Sequence, residues 1–244
     1  MNYEFDLHTH TIASGHAYST IKEMANSAKE KGLKLLGITE HAPTMPGTCH
    51  EFYFQNFRVL DRSAYALPIL FGAELNILDE NGSVDLPLDV IETLDIAIAS
   101  LHPPCVRFMT EQETTHALIS IMKNPNVQII GHPDDSRFPI NYEELARAAK
   151  DTNTLLEVNN SSLREDSYRP GAKDNYKRML DACVKFDTPI VLDSDAHIDK
   201  DIAFRKYSTA LIEECKFPES LILNTDVNKL TNYLSCDTIS LLKL

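Results

Sequence analysis

The sequence predicts an α/β fold in which seven βα units wind into a closed or nearly closed parallel barrel. Three observations lead there. Strand-like apolar runs alternate with helix-like segments along most of the 244 residues. Residues able to ligate metal fall at the ends of six of the seven strand-like runs, about 30 residues apart. A flat doubly wound sheet gathers its site at one switch point, whereas every strand of a barrel presents its C-terminal end to one site.

The elements follow in order. Residues 3–8 alternate as a first strand. Thr20 and Glu23 then have capping-box spacing, Ile21, Met24, Ala25 and Ala28 recur at helical spacing, and Gly32 supplies a stop. Residues 35–39 form a second strand ending at Glu40-His41, and residues 68–73 a third ending at Glu74. Asn81-Gly82, between Ile77-Leu78 and Val84, predicts a small inserted hairpin. Residues 94–100 form a fourth strand ending at His102, and residues 127–130 a fifth ending at Gly131-His132-Pro133. Residues 154–158 form a sixth ending at Asn159-Asn160, and residues 189–192 a seventh ending at Asp193-Ser194-Asp195-Ala196-His197. Helices are marked by Leu118, Ile121 and Met122, by Tyr142, Leu145, Ala148 and Ala149, and by Tyr176, Met179, Leu180 and Cys183. A last helix follows Thr225-Asp226, over residues 227–234. No low-complexity linker breaks the chain, so a single domain over residues 1–244 is expected.

Composition narrows the function classes. The apolar content of 43% suits a globular protein with a sizeable core. A net charge of −13, without any Lys/Arg block, argues against nucleic acid. The start, MNYEFDLHTHT, has no basic or apolar leader pattern, and no run approaches the ~18 apolar residues of a membrane span. Five widely spaced cysteines, an odd number without Cys-x-x-Cys, read as free thiols in a reducing compartment, so a cytoplasmic location is expected. Cys105 lies three residues after His102, and a small apolar filler is its simpler role.

The strand-end residues are His8, His10, His16, His41, Glu74, His102, His132, Asp195 and His197, which include seven of the nine histidines. Histidine with carboxylate is the ligand set of zinc, manganese or iron, and nine ligands suit two or three ions. His8 and His10 share a strand face, and Asp6, one step lower, is expected to orient a ligating histidine. Glu40 points away from His41 on a regular strand and reads as structural. Glu74 follows the apolar run Leu70-Phe71-Gly72-Ala73, where a carboxylate must be paired, protonated or metal-bound. His116 and His50 have no strand-end position and read as surface residues.

Asp6-Leu7-His8-Thr9-His10, His16, Thr39-Glu40-His41, Gly72-Ala73-Glu74, Gly131-His132-Pro133 and Ser194-Asp195-Ala196-His197 resemble the PHP (polymerase and histidinol phosphatase) family, in its order and over nearly the whole chain. The stretches 10–19 and Leu156-Glu157-Val158-Asn159-Asn160-Ser161-Ser162 resemble its YcdX-like bacterial branch. The resemblance implies a distorted (βα)7 TIM-like barrel with the metal site at the C-terminal ends of the strands, three divalent ions, commonly zinc, and phosphatase activity. It implies that His8, His10, Glu74 and Asp195 hold one ion. His16, His41 and His197 would hold a second, and Glu74, His102 and His132 a third, with Glu74 bridging. Two positions depart from the family pattern: Glu40 stands where Asp is usual, and Asp193 where a small residue is usual. Asp193 would add a carboxylate beneath Asp195 and bear on which metal is preferred.

The expected reaction is in-line attack of a metal-bridged hydroxide on a small phosphorylated metabolite. Three divalent ions less the carboxylates of Glu74 and Asp195 leave about +4, a local sink for a phosphomonoester dianion on an acidic protein. Clustered ions also lower the pKa of bound water. Asp195 or His197 is the candidate to protonate the leaving group, and Asn159, Arg164 and Lys173 are candidate substrate contacts. For Arg164 and Lys173 an ordinary solvated loop cation is the simpler reading. Four alternatives stand beside this one. A PHP-type phosphodiesterase or nuclease shares the metals but conflicts with the charge. A histidinol-phosphate phosphatase differs only in substrate. An amidohydrolase leaves His16, His41 and Glu74 unexplained. A non-catalytic metal protein, with every coordination position filled, fits poorly with nine ligands on three ions. A homo-oligomer is compatible with the sequence.

Overall fold

A computed structural model describes residues 1–242. Seven parallel strands lie side by side in sequence order. They are β1 (Phe5–Asp6), β2 (Leu35–His41), β3 (Ile69–Asn76), β4 (Ile96–Ser100), β5 (Ile129–Ile130), β6 (Leu155–Asn159) and β7 (Ile190–Asp193). The strands are buried along their whole lengths, as the apolar runs require of a parallel sheet covered on both faces. The result is a nearly closed, distorted (βα)7 barrel, as the strand-end pattern predicts.

Nine α-helices occur among the described residues: α1 (Ile21–Glu30), α2 (Glu51–Gln55), α3 (Leu88–Ile91), α4 (Glu111–Ile121), α5 (Tyr142–Thr152), α6 (Ala172–Phe186), α7 (Lys206–Glu214), α8 (Val227–Leu230) and α9 (Cys236–Leu242). α1 starts with the predicted reciprocal cap between Thr20 and Glu23. The hairpin after β3 is present, with Ile77 bridged antiparallel to Val84. Two expectations need correction. The last predicted helix is only Val227–Leu230, followed by a turn. α7 was not anticipated, because its sequence KYSTALIEE has only a short apolar stripe.

Two apolar clusters divide the core. One packs the outer faces of the strands against the helices and includes Leu36, Ile38, Phe71, Ala97, Leu145, Tyr176 and Leu180. The other fills the barrel with Phe5, Leu7, Leu35, Leu70, Ile96, Ile98, Ile129, Leu155 and Val191, and Leu223, Val227, Leu230 and Leu234 from the C-terminal stretch join it. Side chains alternate along a strand, so the interior rows Leu70-Gly72-Glu74-Asn76 and Leu155-Glu157-Asn159 run from apolar floor to polar top. Gly72 is needed there, because a Cβ would lie 2.1 Å from the Ile96 carbonyl oxygen.

Side chains close the seam between β1 and β7. Asn224 Nδ2 donates to the carbonyls of Phe5 (3.2 Å) and Leu192 (3.0 Å), and its Oδ1 accepts from Leu192 N at 2.7 Å. Arg205 donates to the same two carbonyls. Above them Thr9 bridges to Ala196. Asp6 belongs to this seam. Its carboxylate accepts from Ser194 N (3.0 Å) and Ala203 N (2.8 Å), so it does not orient a histidine as the sequence suggested.

Candidate metal centre

The nine predicted ligands converge at the C-terminal mouth of the barrel. Glu74 stands at the centre. Its Oε1 lies 2.7 Å from His132 Nε2, 3.2 Å from His102 Nε2 and 3.4 Å from His8 Nε2. Its Oε2 lies 2.6 Å from His41 Nδ1 and 3.6 Å from His10 Nε2. Asp195 Oδ1 lies 3.3 Å from His10 Nε2, 3.4 Å from His197 Nδ1 and 3.8 Å from His8 Nε2. His16, more exposed, stacks its ring on His41 at 4.8 Å and lies 4.9 Å from the His197 ring.

Three histidines are oriented by groups that can only accept a ring proton or that already donate elsewhere. His8 Nδ1 donates to Glu157 Oε1 at 2.8 Å, and His102 Nδ1 to Asn76 Oδ1 at 2.7 Å. His10 Nδ1 donates to Ser14 Oγ at 3.1 Å, and Ser14 in turn donates to Glu40 Oε2 at 2.6 Å. These bonds put the ring proton on Nδ1 and leave the Nε2 lone pair facing inward. Two of the predicted ligands, His132 (φ 30) and Asp195 (φ 53), adopt left-handed backbone just beyond the ends of β5 and β7.

Electrostatics separates the histidines. Burial opposes a charge on His8, but Glu157, Glu74 and Asp195 outweigh it, so its pKa is raised well above the usual value. Burial, with His41 and His197 beside it, takes His10 well below. Burial, with His41 and His197, lowers His16 to about 4; burial and Arg169 lower His132 to about 3. Burial would raise Glu74, but His102, His8 and His41 hold it well below the carboxylate range. Burial would raise Asp195 too, but His8, His10 and His197 beside it hold it well below. Asp193 behaves differently: burial and the neighbouring Asp6 push it up to about 8. Its Oδ1 accepts from Leu7 N at 3.0 Å, a bond that favours the charged form and only partly offsets the burial.

The donor set fits divalent ions. His8 Nε2, His10 Nε2, His41 Nδ1, His102 Nε2, Glu74 Oε2 and Asp195 Oδ1 are buried without a hydrogen-bond partner. Buried polar atoms are rarely left so, and a cation is the partner that nitrogen lone pairs and carboxylate oxygens share. Four overlapping sets have donor atoms within 4.8 Å of one another: His8/His10/Asp195, His8/Glu74/His132, His41/Glu74/His102 and His10/His41/His197. In the last set His10 occupies the place that the family resemblance gives to His16.

A cavity of about 580 Å³ opens above, with His16, His41, His102, Asp195 and His197 as its floor. Met45, Pro103 and Pro104 supply apolar surface, and Arg137, Arg164, Tyr168 and Arg169 supply cations and a ring. The predicted substrate contacts separate here. Arg164 lines the cavity. Asn159 is buried under it, donating to Asp195 Oδ2 at 3.1 Å. Lys173 lies outside the cavity lining, its ammonium 2.8 Å from Glu214. His50 caps α2, accepting from Phe52 N, and His116 lies beside Ser120 on α4.

Sequence reasoning passed over Glu157, Asn76, Ser14, Arg137 and Arg169. The rule that singled out Glu74, a carboxylate inside an apolar strand, also finds Glu157. Asn76 shares a strand face with Glu74. The two arginines lie in irregular loops, where spacing carries no signal.

A family profile described as the PHP domain matches residues 6–213. The chain is 45% identical over 234 residues to a probable phosphatase of Clostridium novyi, covering 96% of this chain and 95% of that one. It is 43% identical over 235 residues to a probable phosphatase of Thermoanaerobacter pseudethanolicus, with the same coverage. Among solved structures, the histidinol phosphate phosphatase of Lactococcus lactis, complexed with zinc, L-histidinol and phosphate, is similar in fold. Its TM-score is 0.60 at 19% identity, over 88% of this chain and 95% of that chain. A chain of an archaeal ribonuclease P bound to mature tRNA gives a TM-score of 0.56 at 14% identity, over 98% of this chain and 93% of that chain.

Proposed function

This chain belongs to the PHP domain family, and from that premise we propose that it is a metal-dependent phosphatase acting on small phosphomonoesters, with three divalent ions, zinc by preference, held by the nine strand-end ligands of a single domain over residues 1–244. The observation that carries the reading is the set of six buried donor atoms around Glu74 and Asp195 that lack a hydrogen-bond partner. The probable phosphatases among its relatives agree with it.

Ions bound there would supply Lewis acidity to the phosphoryl oxygens and a nucleophilic water near neutral pH. The chain's own residues do the rest. Glu157, Asn76 and Ser14 hold His8, His102 and His10 in one orientation. Arg169 is almost fully buried, donates to Ser162 Oγ at 2.7 Å and has Nη1 3.8 Å from Asp195 Oδ2. Its guanidinium is placed to receive a phosphoryl oxygen in a water-poor site. Asp195 and His197, the sequence candidates for protonating the leaving oxygen, line the same floor; Asp195 is held as the anion there, which leaves His197 as the candidate to hand over that proton. A monoester dianion offsets a cluster charge of about +4 better than a diester monoanion does.

The net charge of −13 disfavours a nuclease. Cys49, Cys105, Cys183 and Cys215 are free thiols, which agrees with the cytoplasm. The test is hydrolysis of p-nitrophenyl phosphate and of bis(p-nitrophenyl) phosphate by metal-replete protein. The monoester is expected to be hydrolysed at least tenfold faster, with the activity lost to EDTA. Equal or reversed rates would count against the monoesterase.

A further inference from the structure

The wall of the cavity holds an arrangement that phosphate capture alone does not require. Arg137, Tyr168 and Arg169 of that wall, with Phe108 beside Arg137 just outside the lining, form a ladder of alternating rings and guanidiniums. Arg169 Cζ lies 5.2 Å from the Tyr168 ring centroid, and Arg137 Cζ lies 5.7 Å from the same centroid and 6.0 Å from that of Phe108. The inner end, Arg169, is beside Asp195. The outer end is exposed: Tyr168 and Phe108 keep 63% and 58% of their surface in solvent. Large aromatic rings left open around a cation at a pocket mouth are a costly way to build a wall.

Arg137 is the distinctive member. The buried carboxylate of Asp135 grips its Nε at 2.9 and 3.0 Å and its Nη2 at 2.5 Å. Nη2 also reaches Tyr168 O at 3.4 Å. The Asp135 hydrogen bonds raise the guanidinium's pKa further, against burial and the repulsion of Arg169. Nη1 donates to nothing among the described residues, and Arg137 lines the cavity. A guanidinium fixed by a fork and two rings, with one edge left over, is pre-organised to receive an acceptor without losing side-chain entropy. The cavity of about 580 Å³ has room for much more than one phosphate group.

We propose that the alcohol released by this enzyme carries a second anionic group, a carboxylate or a phosphate, which Arg137 receives while the scissile phosphate lies at the Glu74–Asp195 floor. The proposal rests on the phosphatase reading above and adds the substrate class to it.

Metal-replete protein is assayed on p-nitrophenyl phosphate and on matched esters of four- and six-carbon chains. In each series the far end is an alcohol, a carboxylate or a second phosphate. At least one acidic ester should have a kcat/KM about tenfold or more above its alcohol counterpart, expressed mainly in KM. That exceeds the statistical factor of about two from the two ends of a bisphosphate. A gain in the carboxylate arm or the phosphate arm identifies the anion. Arg137→Gln should bring the preference below about threefold. Should that variant fail to fold by circular dichroism, the wild-type preference itself must shrink between 50 and 500 mM salt. Turnover of the esters without preference at either length, or a preference untouched by Arg137→Gln or by salt, overturns this inference and leaves the phosphatase reading standing. No turnover of any ester removes both.

Discussion

At the scale of the residue, the site is a ring of side chains whose free atoms face one another. Glu157 shows how much depends on groups that touch no substrate. Its Oε1 orients His8 and its Oε2 accepts from His132 N at 2.7 Å, so one carboxylate sets two of the proposed ligands. Glu157→Gln keeps the shape and weakens both bonds. It should lower metal affinity about 10- to 100-fold, read by competition with a chromophoric chelator; an unchanged affinity would remove its orienting role. Most of the nine residues were legible because they stand at or just after the end of an apolar run, where burial demands a partner; His16 and His197 lie farther along the loops that follow. Glu157 obeys the same logic and was passed over only because it lies one step inside its strand. Asp6 misled because face-sharing is not contact: the seam captured its carboxylate with the amides of Ser194 and Ala203. Arg137 and Arg169 reach the cavity from loops whose course no local pattern encodes.

At the scale of the element, the barrel is held by seven short strands and a seam that two side chains complete. Asn224 satisfies the backbone groups of both β1 and β7, all of them buried. Asn224→Ala would leave these groups without that partner, and each unsatisfied group costs roughly 1–3 kcal/mol. A loss of about 3 kcal/mol in a urea titration is expected, since Arg205 still serves both carbonyls. A loss below about 1 kcal/mol would mean that the seam is held otherwise. Apolar alternation and the Thr20–Glu23 cap made the strands and α1 readable. The seam was not, because Asn224 stands 31 positions beyond the end of β7 and looks like any loop asparagine. α7 escaped for a related reason: Leu211 and Ile212 are its deeply buried apolar residues, too few to fix a period.

At the scale of the whole molecule, stability, charge and metal are one problem. Ions that bind the folded protein alone stabilise it, by about 4 kcal/mol per site at a thousandfold excess over Kd. Chelation should lower the melting temperature by about 8 °C or more, at roughly 2–4 °C per kcal/mol for a chain of this size. Through the buried histidines whose values are lowered, acid should act in the same direction. His132 is held near pKa 3 in the fold against about 6.5 unfolded, so its stabilising neutral form is favoured above the unfolded value. As pH falls from about 6.5 toward 3, the unfolded chain takes up this proton and the folded one does not. That costs about 1.4 kcal/mol per pH unit for each such group. His8, raised above its unfolded value, is protonated in both states over this window, whereas Asp193, raised to about 8, binds its proton first in the fold and opposes the loss down to about pH 4. Melting of chelated wild type beside chelated His132→Gln at pH 6.5 and pH 4.5 isolates the His132 share: the wild type should lose more on acidification, and equal losses would contradict it.

The most direct test counts metal on the carboxylate at the centre. Glu74 lies within 3.6 Å of donor atoms from five histidines and is the proposed bridge between two ions. Elemental analysis of folded wild-type protein should give three divalent ions per protomer. Glu74→Gln, folded by circular dichroism, should lose more than one equivalent and nearly all activity, because an amide carries no charge to share between cations. His132→Ala should lose about one. A folded Glu74→Gln protein with the wild-type metal count and rate would contradict the bridge, and with it the three-ion centre.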